Sequence, residues 1–497
     1  MHAHAGPAWQ GRRGRRTPVV QWTMEESQGG FASGPVQGPL DTGGMIFVGS
    51  RDQYVYAVNA STGAVVWRYH TSGAVLGTPV VGNRIGMDDG VFAPSTDGEC
   101  HAISATHGTF RYRFARGGLH LGGRWVLHSN EPLVSSPVIA SNGVLYLGAT
   151  DGHVYALNSA TGSGGAAGSI KWMFATKSPV TASPALAVND SADGMSGAGM
   201  LYVGALDGTM YALDAARGEK VWSFSTGGAV HSSVTLSESG HAIFGSFDGF
   251  LYCLNATDGG LAWRFRTGGG VTSSPALNAN ETSAFIVSTD RQLYAVRMED
   301  GQLVWNRTLV RGSSLLEGAD GKVPPEGYVD TGMGDVNVDV DEIDAVDDGA
   351  AETYSPKATV DELPLRDRPQ LSYAASGDIT GASLMSFLQH EGVCPPMSKG
   401  GSDARLDRRL GMRPSLVCGG ADMRANVAAG VSATPVYAGG IVFVGSEDRS
   451  MYALEEDTGK VLWTFPTNGA ITAPAMLTED NRLIFGSEDG VLYSLIL

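Results

Sequence analysis

Three observations predict an all-β fold: an eight-bladed β-propeller of four-stranded antiparallel blades, closed by pairing of an N-terminal strand with a C-terminal hairpin and interrupted by one long insertion. Glycine- and aspartate-bearing turns recur at Gly49, Ser95, Gly148, Gly204, Gly245, Ser288, Gly445 and Gly486, 41 to 56 residues apart outside one long gap. An aromatic run recurs in step with them, at Trp22, Trp67, Tyr112, Trp172, Trp222, Trp263, Trp305 and Trp463. Both ends of the chain are fragments of this unit: Val19 to Thr23 is an aromatic run alone, and Leu483 to Ser487 with Val491 to Leu497 is a pair lacking its outer partner. A fixed period of this length signals a repeat architecture, and joining the two fragments leaves no open sheet edge at the seam.

Each element of the unit follows from local pattern. Around the unit Val203 to Val234, an apolar run, Leu201 to Val203, is closed by a Gly-x-x-Asp-Gly turn, an alternating run from Met210 to Leu213 follows, and a second Gly turn leads to the Trp strand. Alternation over four to six residues bounded by Gly and Asp is the hairpin signal. Asp-Gly suits tight turns because Gly takes positive φ without penalty and Asp bonds its own downstream backbone. Ser232 to Thr235, matched by Ser273 to Ala276 and Ser135 to Val138, is expected to supply the remaining strand of each blade. Trp22, Trp67, Trp172, Trp222, Trp263, Trp305 and Trp463 are read as structural docking residues, since a repeated buried indole is a packing device and a ligand cage needs only one or two.

The pattern Ala-x-Asp/Asn-x-x-Thr-Gly-x-x-x-Trp occurs at Ala57, Asn59, Thr62, Gly63 and Trp67, again at Ala453, Thr458, Gly459 and Trp463, and more loosely at Ala212 to Trp222 and Ala295 to Trp305. It resembles the tryptophan-docking motif of the pyrroloquinoline-quinone (PQQ) repeat propellers. That family includes quinoprotein alcohol dehydrogenases and the propeller lipoprotein of bacterial outer-membrane β-barrel assembly. The resemblance implies that each indole packs between an Ala of its own blade and a Gly peptide of the next. For the dehydrogenases it also implies a quinone held by adjacent cysteines, with calcium on Glu, Asn and Asp. Here the cysteines are Cys100, Cys253, Cys394 and Cys418, with no adjacent pair, and none of the calcium ligands maps onto this chain.

Departures from the period mark an organisation of a tail at 1–16, propeller at 17–309, insertion at 310–430 and propeller at 431–497. A smaller insertion spans 117–132. Both insertions join the outer strand of one blade to the inner strand of the next, so both are expected on one face, following blades two and six, as a lid or two-sided clamp over the channel. The 335–367 stretch carries eleven acidic residues against Lys357 and Arg366, a composition that predicts partial disorder. Within it, Asp335, Asn337, Asp339 and Asp341 alternate oxygen donors as calcium loops do, but Val340 and Val346 stand where such a loop needs Gly and Glu. Ser383 to Gln389 has helical spacing over two turns, and Cys394 and Cys418 share the insertion and are candidates to pair.

A net charge of -17 excludes a phosphate-tracking nucleic-acid binder. No stretch of 18 apolar residues is present to span a bilayer, and the N-terminus lacks the apolar core of a secretory signal, although Arg12, Arg13, Arg15 and Arg16 precede any acidic residue. His101, His153 and His231 fall at or near strands and turns and read as blade histidines. The expectation is a monomeric, non-enzymatic scaffold that binds a protein or extended peptide on the propeller face, with no cofactor. The alternatives are a PQQ- and calcium-dependent dehydrogenase-like enzyme and a small-ligand sensor.

Overall fold

A computed structural model of the chain describes residues 17–38, 44–85, 88–114, 131–159, 168–187, 199–309 and 433–497. These form eight four-stranded antiparallel sheets, and no α-helix occurs among them. Blade 5 is representative: a two-residue innermost strand Thr235–Leu236, then His241–Gly245, Phe250–Asn255 and the outer strand Leu261–Arg266. Numbered from the N-terminus, blades 1 to 7 span 36–70, 80–114, 138–175, 185–225, 235–266, 276–308 and 436–466. Blade 8 combines Met476–Leu477, Arg482–Gly486 and Leu492–Ile496 with Val19–Met24 as its outer strand. The seam runs antiparallel from Val19 opposite Ile496 to Met24 opposite Leu492. Eight blades and closure by the first strand therefore stand as the repeat predicts.

The core lies between sheets. Each sheet's second and third strands are buried on both faces, as in the all-buried Met45–Gly49. Trp22, Met24, Phe31 and Ile484 of the seam pack on Ile46, Val48 and Tyr56 of blade 1, and comparable clusters fill the other junctions. Outer strands alternate exposed and half-buried residues. In them the residue before the Trp is a β-bulge: Ala57 pairs with Trp67 but Val58 pairs with Val65, and blades 4, 5, 6 and 7 repeat the shift. A bulge bends its strand and re-aims the next side chain, here toward the neighbouring blade.

One boundary differs from expectation. Ser232 and Ser233 precede the innermost strand, which begins at Thr235, and the same holds for Ser273 before Ala276 and Ser135 before Val138. The physical reason is that these serines bond across to other strands and blades, as described below. The tail 1–16, most of both insertions, the Asp335 to Asp341 run, Ser383 to Gln389, Cys394 and Cys418 lie outside the described residues.

Candidate functional site

Up-and-down connectivity puts the turn between the second and third strands of every blade on the same face as the connection leading into the next blade. The breaks at 115–130 and 310–432 fall in two such connections. This face is organised by one aspartate per blade. In blade 5, Asp248 Oδ1 accepts the Phe250 N–H at 3.0 Å. Its Oδ2 accepts the Tyr252 hydroxyl at 2.7 Å and the Gly227 N–H of the preceding connection at 2.7 Å. One carboxylate thus shapes its own turn and fastens two blades. Asp52–Tyr56, Asp151–Tyr155, Asp207–Tyr211, Asp290–Tyr294, Asp448–Tyr452 and Asp489–Tyr493 repeat the phenol contact at 2.5–2.9 Å. Burial, followed by the bond to the carboxylate, pushes the phenols of Tyr56, Tyr211, Tyr252, Tyr294 and Tyr493 up; for Tyr211 the value reaches about 12.

Blade 2 departs from this rule. His101 stands where the other seven blades have Tyr, with Nε2 at 3.0 Å from Asp97 Oδ2 and Nδ1 at 3.3 Å from the Tyr69 hydroxyl of blade 1. Glu99, buried beside them, brings Oε2 to 3.9 Å from His101 Nε2. Burial raises the Asp97 carboxyl, but the His101 bond and charge, with the Ser72 and Glu99 N–H groups, outweigh it and hold Asp97 below its ordinary value.

Closer to the axis, hydroxyl residues that precede the innermost strands of blades 2 to 6 link blades 1 to 6 into a belt. Gly34 N–H donates to Thr78 Oγ1, Thr78 to Ser136 Oγ, Ser136 to Ser183 Oγ, Ser183 to Ser233 Oγ and Ser233 to Ser274 Oγ, at 2.8–3.1 Å. In three blades the residue before the belt position turns back into its own blade: Gly49 N–H donates to Ser33 Oγ, Gly148 N–H to Ser135 Oγ and Val287 N–H to Ser273 Oγ. Proline follows the belt residue at Pro79, Pro137, Pro184 and Pro275, since the first residue of an edge strand needs no ladder N–H.

Above the belt the mouth is uneven. His231 Nδ1 lies 3.2 Å from Thr181 Oγ1, its ring meets Phe247 edge-on at 6.2 Å, and burial pulls its pKa down to about 4. Phe247, at the tip of the blade 5 turn, is 56% exposed. The equivalent turn sites on blades 8 and 1 hold Glu488 and Arg51, which pair at 3.0 Å, and Glu447 occupies that of blade 7. One sector is apolar and the opposite one is charged.

The tryptophans lie at the blade junctions. Trp22, Trp67, Trp172, Trp222, Trp263 and Trp305 each donate Nε1–H to a backbone carbonyl of the following blade, on Ala60, Ala105, Ala215, Ala256, Met298 and Glu456, at 2.6–3.0 Å. A positive-φ glycine supports each ring: at Gly259 (φ 75°) an added Cβ would sit 2.7 Å from the Trp222 indole. Trp463 faces blade 8, whose third and outer strands come from opposite ends of the chain, so no hairpin turn is there to receive it.

The described thiols do not fit a quinone clamp. Cys100 and Cys253 are buried in the third strands of blades 2 and 5, and burial pushes the Cys253 thiol up to about 12 and Cys100 further. His153 contacts Asp151 in its own turn. The aspartate latch, the belt and the His101–Glu99 exchange were not anticipated from sequence. The recurrent Asp-x-x-x-Tyr spacing is the signal that finds the first.

Comparison with known proteins agrees with this geometry. The family profile described as outer membrane protein assembly factor BamB matches residues 14–170, 206–323 and 405–495, and that of the glucose/ethanol/alcohol dehydrogenase β-propeller domain matches 128–247. The crystal structure of BamB from Moraxella catarrhalis superposes over 97% of this chain and 100% of its own, with a TM-score of 0.55 at 15% identity. Saccharomyces cerevisiae Sqt1 superposes over 96% of this chain and 99% of its own, with a TM-score of 0.56 at 10% identity. These likenesses are of fold alone. A tetrathionate hydrolase from Acidithiobacillus ferrooxidans is 26% identical over 205 residues, which is 41% of this chain and only 31% of that relative. No helix among the described residues is long and apolar enough to cross a membrane.

Proposed function

Because the chain belongs to the PQQ-repeat propeller family represented by outer membrane protein assembly factor BamB, we propose that it is a scaffold that binds a protein or extended peptide across the mouth of its channel. The observation that carries this is a division between constancy and variety. The aspartate latch repeats in every blade and the belt runs through blades 1 to 6, whereas equivalent turn tips just above them differ: Arg51, Leu206, Phe247, Thr289, Glu447 and Glu488. Varied side chains on a rigid frame are how loop surfaces acquire specificity. An exposed aromatic opposite a charged sector suits a segment with one apolar anchor and a polar flank.

No cofactor is needed for this role. Affinity capture from the native lysate with the full chain, with Phe247→Asp and with residues 311–429 removed tests the reading. A specific partner retained by the full chain and depleted at least about tenfold by Phe247→Asp is expected, the loss of a buried aromatic anchor. Equal capture by all three overturns the assignment to this face. The partial likeness to tetrathionate hydrolase favours a second reading, hydrolysis of tetrathionate. Incubation of the purified chain with tetrathionate and measurement of its disappearance decides that reading.

A further inference from the structure

The eight blade turns form an internal control, because seven of them show what the fold alone requires. All eight keep the aspartate, and seven place Tyr four residues on. Two residues on from the aspartate those seven carry Tyr54, His153, Thr209, Phe250, Gln292, Ser450 and Val491, none of them a carboxylate. Blade 2 changes both positions at once, to Glu99 and His101. Each exchange adds a metal-ligating atom, and both converge on Asp97, so that three donor atoms lie within 4.8 Å of one another.

We propose that Asp97, Glu99 and His101 form a binding site for a first-row divalent transition-metal ion of the zinc class. One imidazole nitrogen with two carboxylates is a donor set such ions accept. The Asp97 and Glu99 side chains are only 9% and 8% exposed, and buried carboxylates are found paired or coordinating metal ions. The 3.0 Å separation of His101 Nε2 from Asp97 Oδ2 needs only a slight opening to reach the spacing of two adjacent tetrahedral ligands on one ion at about 2.0–2.2 Å. Glu99 Oε2, at 3.9 Å, closes the remaining gap by a small side-chain rotation. Tyr69, on the other imidazole nitrogen, is placed to fix the ring and tautomer, as outer partners of ligating histidines do. Binding through Nε2 requires the proton that bridges to Asp97 to leave that nitrogen, for solvent or for Nδ1, which faces the Tyr69 oxygen.

The test is calorimetric titration of the chelator-stripped full chain with Zn²⁺, with the visible spectrum of the Co²⁺ form as a report of nitrogen and oxygen ligation and Ca²⁺ as a hard-ion control. One equivalent of Zn²⁺ should bind and Ca²⁺ should not compete. His101→Tyr installs the residue the other seven blades use, so the latch survives while the nitrogen ligand is lost; site-specific binding should disappear. Glu99→Gln should weaken it, and Tyr69→Phe should cost about 10–100-fold. Should His101→Tyr lower the melting temperature, Glu99→Gln, which leaves the latch untouched, decides the matter. Absence of stoichiometric binding, or binding unchanged in both His101→Tyr and Glu99→Gln, overturns the proposal and leaves the Asp97–His101 contact as a hydrogen-bonded latch only.

Discussion

Blade 5 and blade 2 hold the same turn with different chemistry. Asp248 fastens its neighbours through a phenol and two N–H groups, whereas Asp97 does so through an imidazole and two N–H groups, at nearly the same distances. The pair teaches that the frame needs a carboxylate with a donor four residues on and is indifferent to what carries the proton. Blade identity is therefore free to vary where the frame does not constrain it.

The comparison can be broken most forcefully at the indole. Trp222→Ala removes a buried ring that packs on Tyr202 and bonds Ala256, and should lower stability by about 3–5 kcal/mol in urea unfolding. Asp248→Ala leaves three donors without their acceptor and should cost about 3 kcal/mol by the same measurement. A cost below 1 kcal/mol would show that the latch is ornamental. Gly259→Ala forces a side chain into positive φ against Trp222, at about 2 kcal/mol; an equal cost in a Trp222→Ala background would remove the steric part of the argument.

A pH series sharpens the contrast between sectors of the mouth. The unfolded His231 gains its proton near pH 6.5 but the folded residue only at about 4. The unfolded state thus binds more protons between those values, and stability falls as pH drops from 6.5 toward 4, then levels. The ring is partly open to the channel, so the change should be about 1–2 kcal/mol, and His231→Gln should flatten it. The smallest effect belongs to Tyr252→His, which copies the blade 2 exchange into blade 5. A cost under about 1 kcal/mol is expected, because a donor is kept, and a larger one would mean that blade 2 carries compensations elsewhere.

The architecture was legible because repetition multiplies a weak local signal. Any one Asp-Gly turn or aromatic run is ambiguous, but eight in step, with Trp22 stranded at one end and Leu483 to Leu497 at the other, leave one closed arrangement. The same repetition hid the finer chemistry. Ser232 to Thr235 reads as strand because it is short, semi-polar and runs into Leu236. Its hydroxyls serve a neighbouring blade, and that partner is about 50 residues away in the chain. His101 looked like a lone strand histidine until Asp97, four residues back, and Tyr69, on another blade, were seen beside it.

The pairing of Val19–Met24 with Leu492–Ile496 also sets an order of events during synthesis. Of the described strands, the one made earliest pairs with the one made latest, so ring closure must wait until Leu492–Ile496 has been made. Until then Val19, Val20 and Trp22 have no sheet to join, and the growing arc presents an apolar edge of the kind that chaperones recognise or that neighbouring nascent chains capture. Slow, concentration-sensitive maturation is the expected signature of a ring fastened in this way.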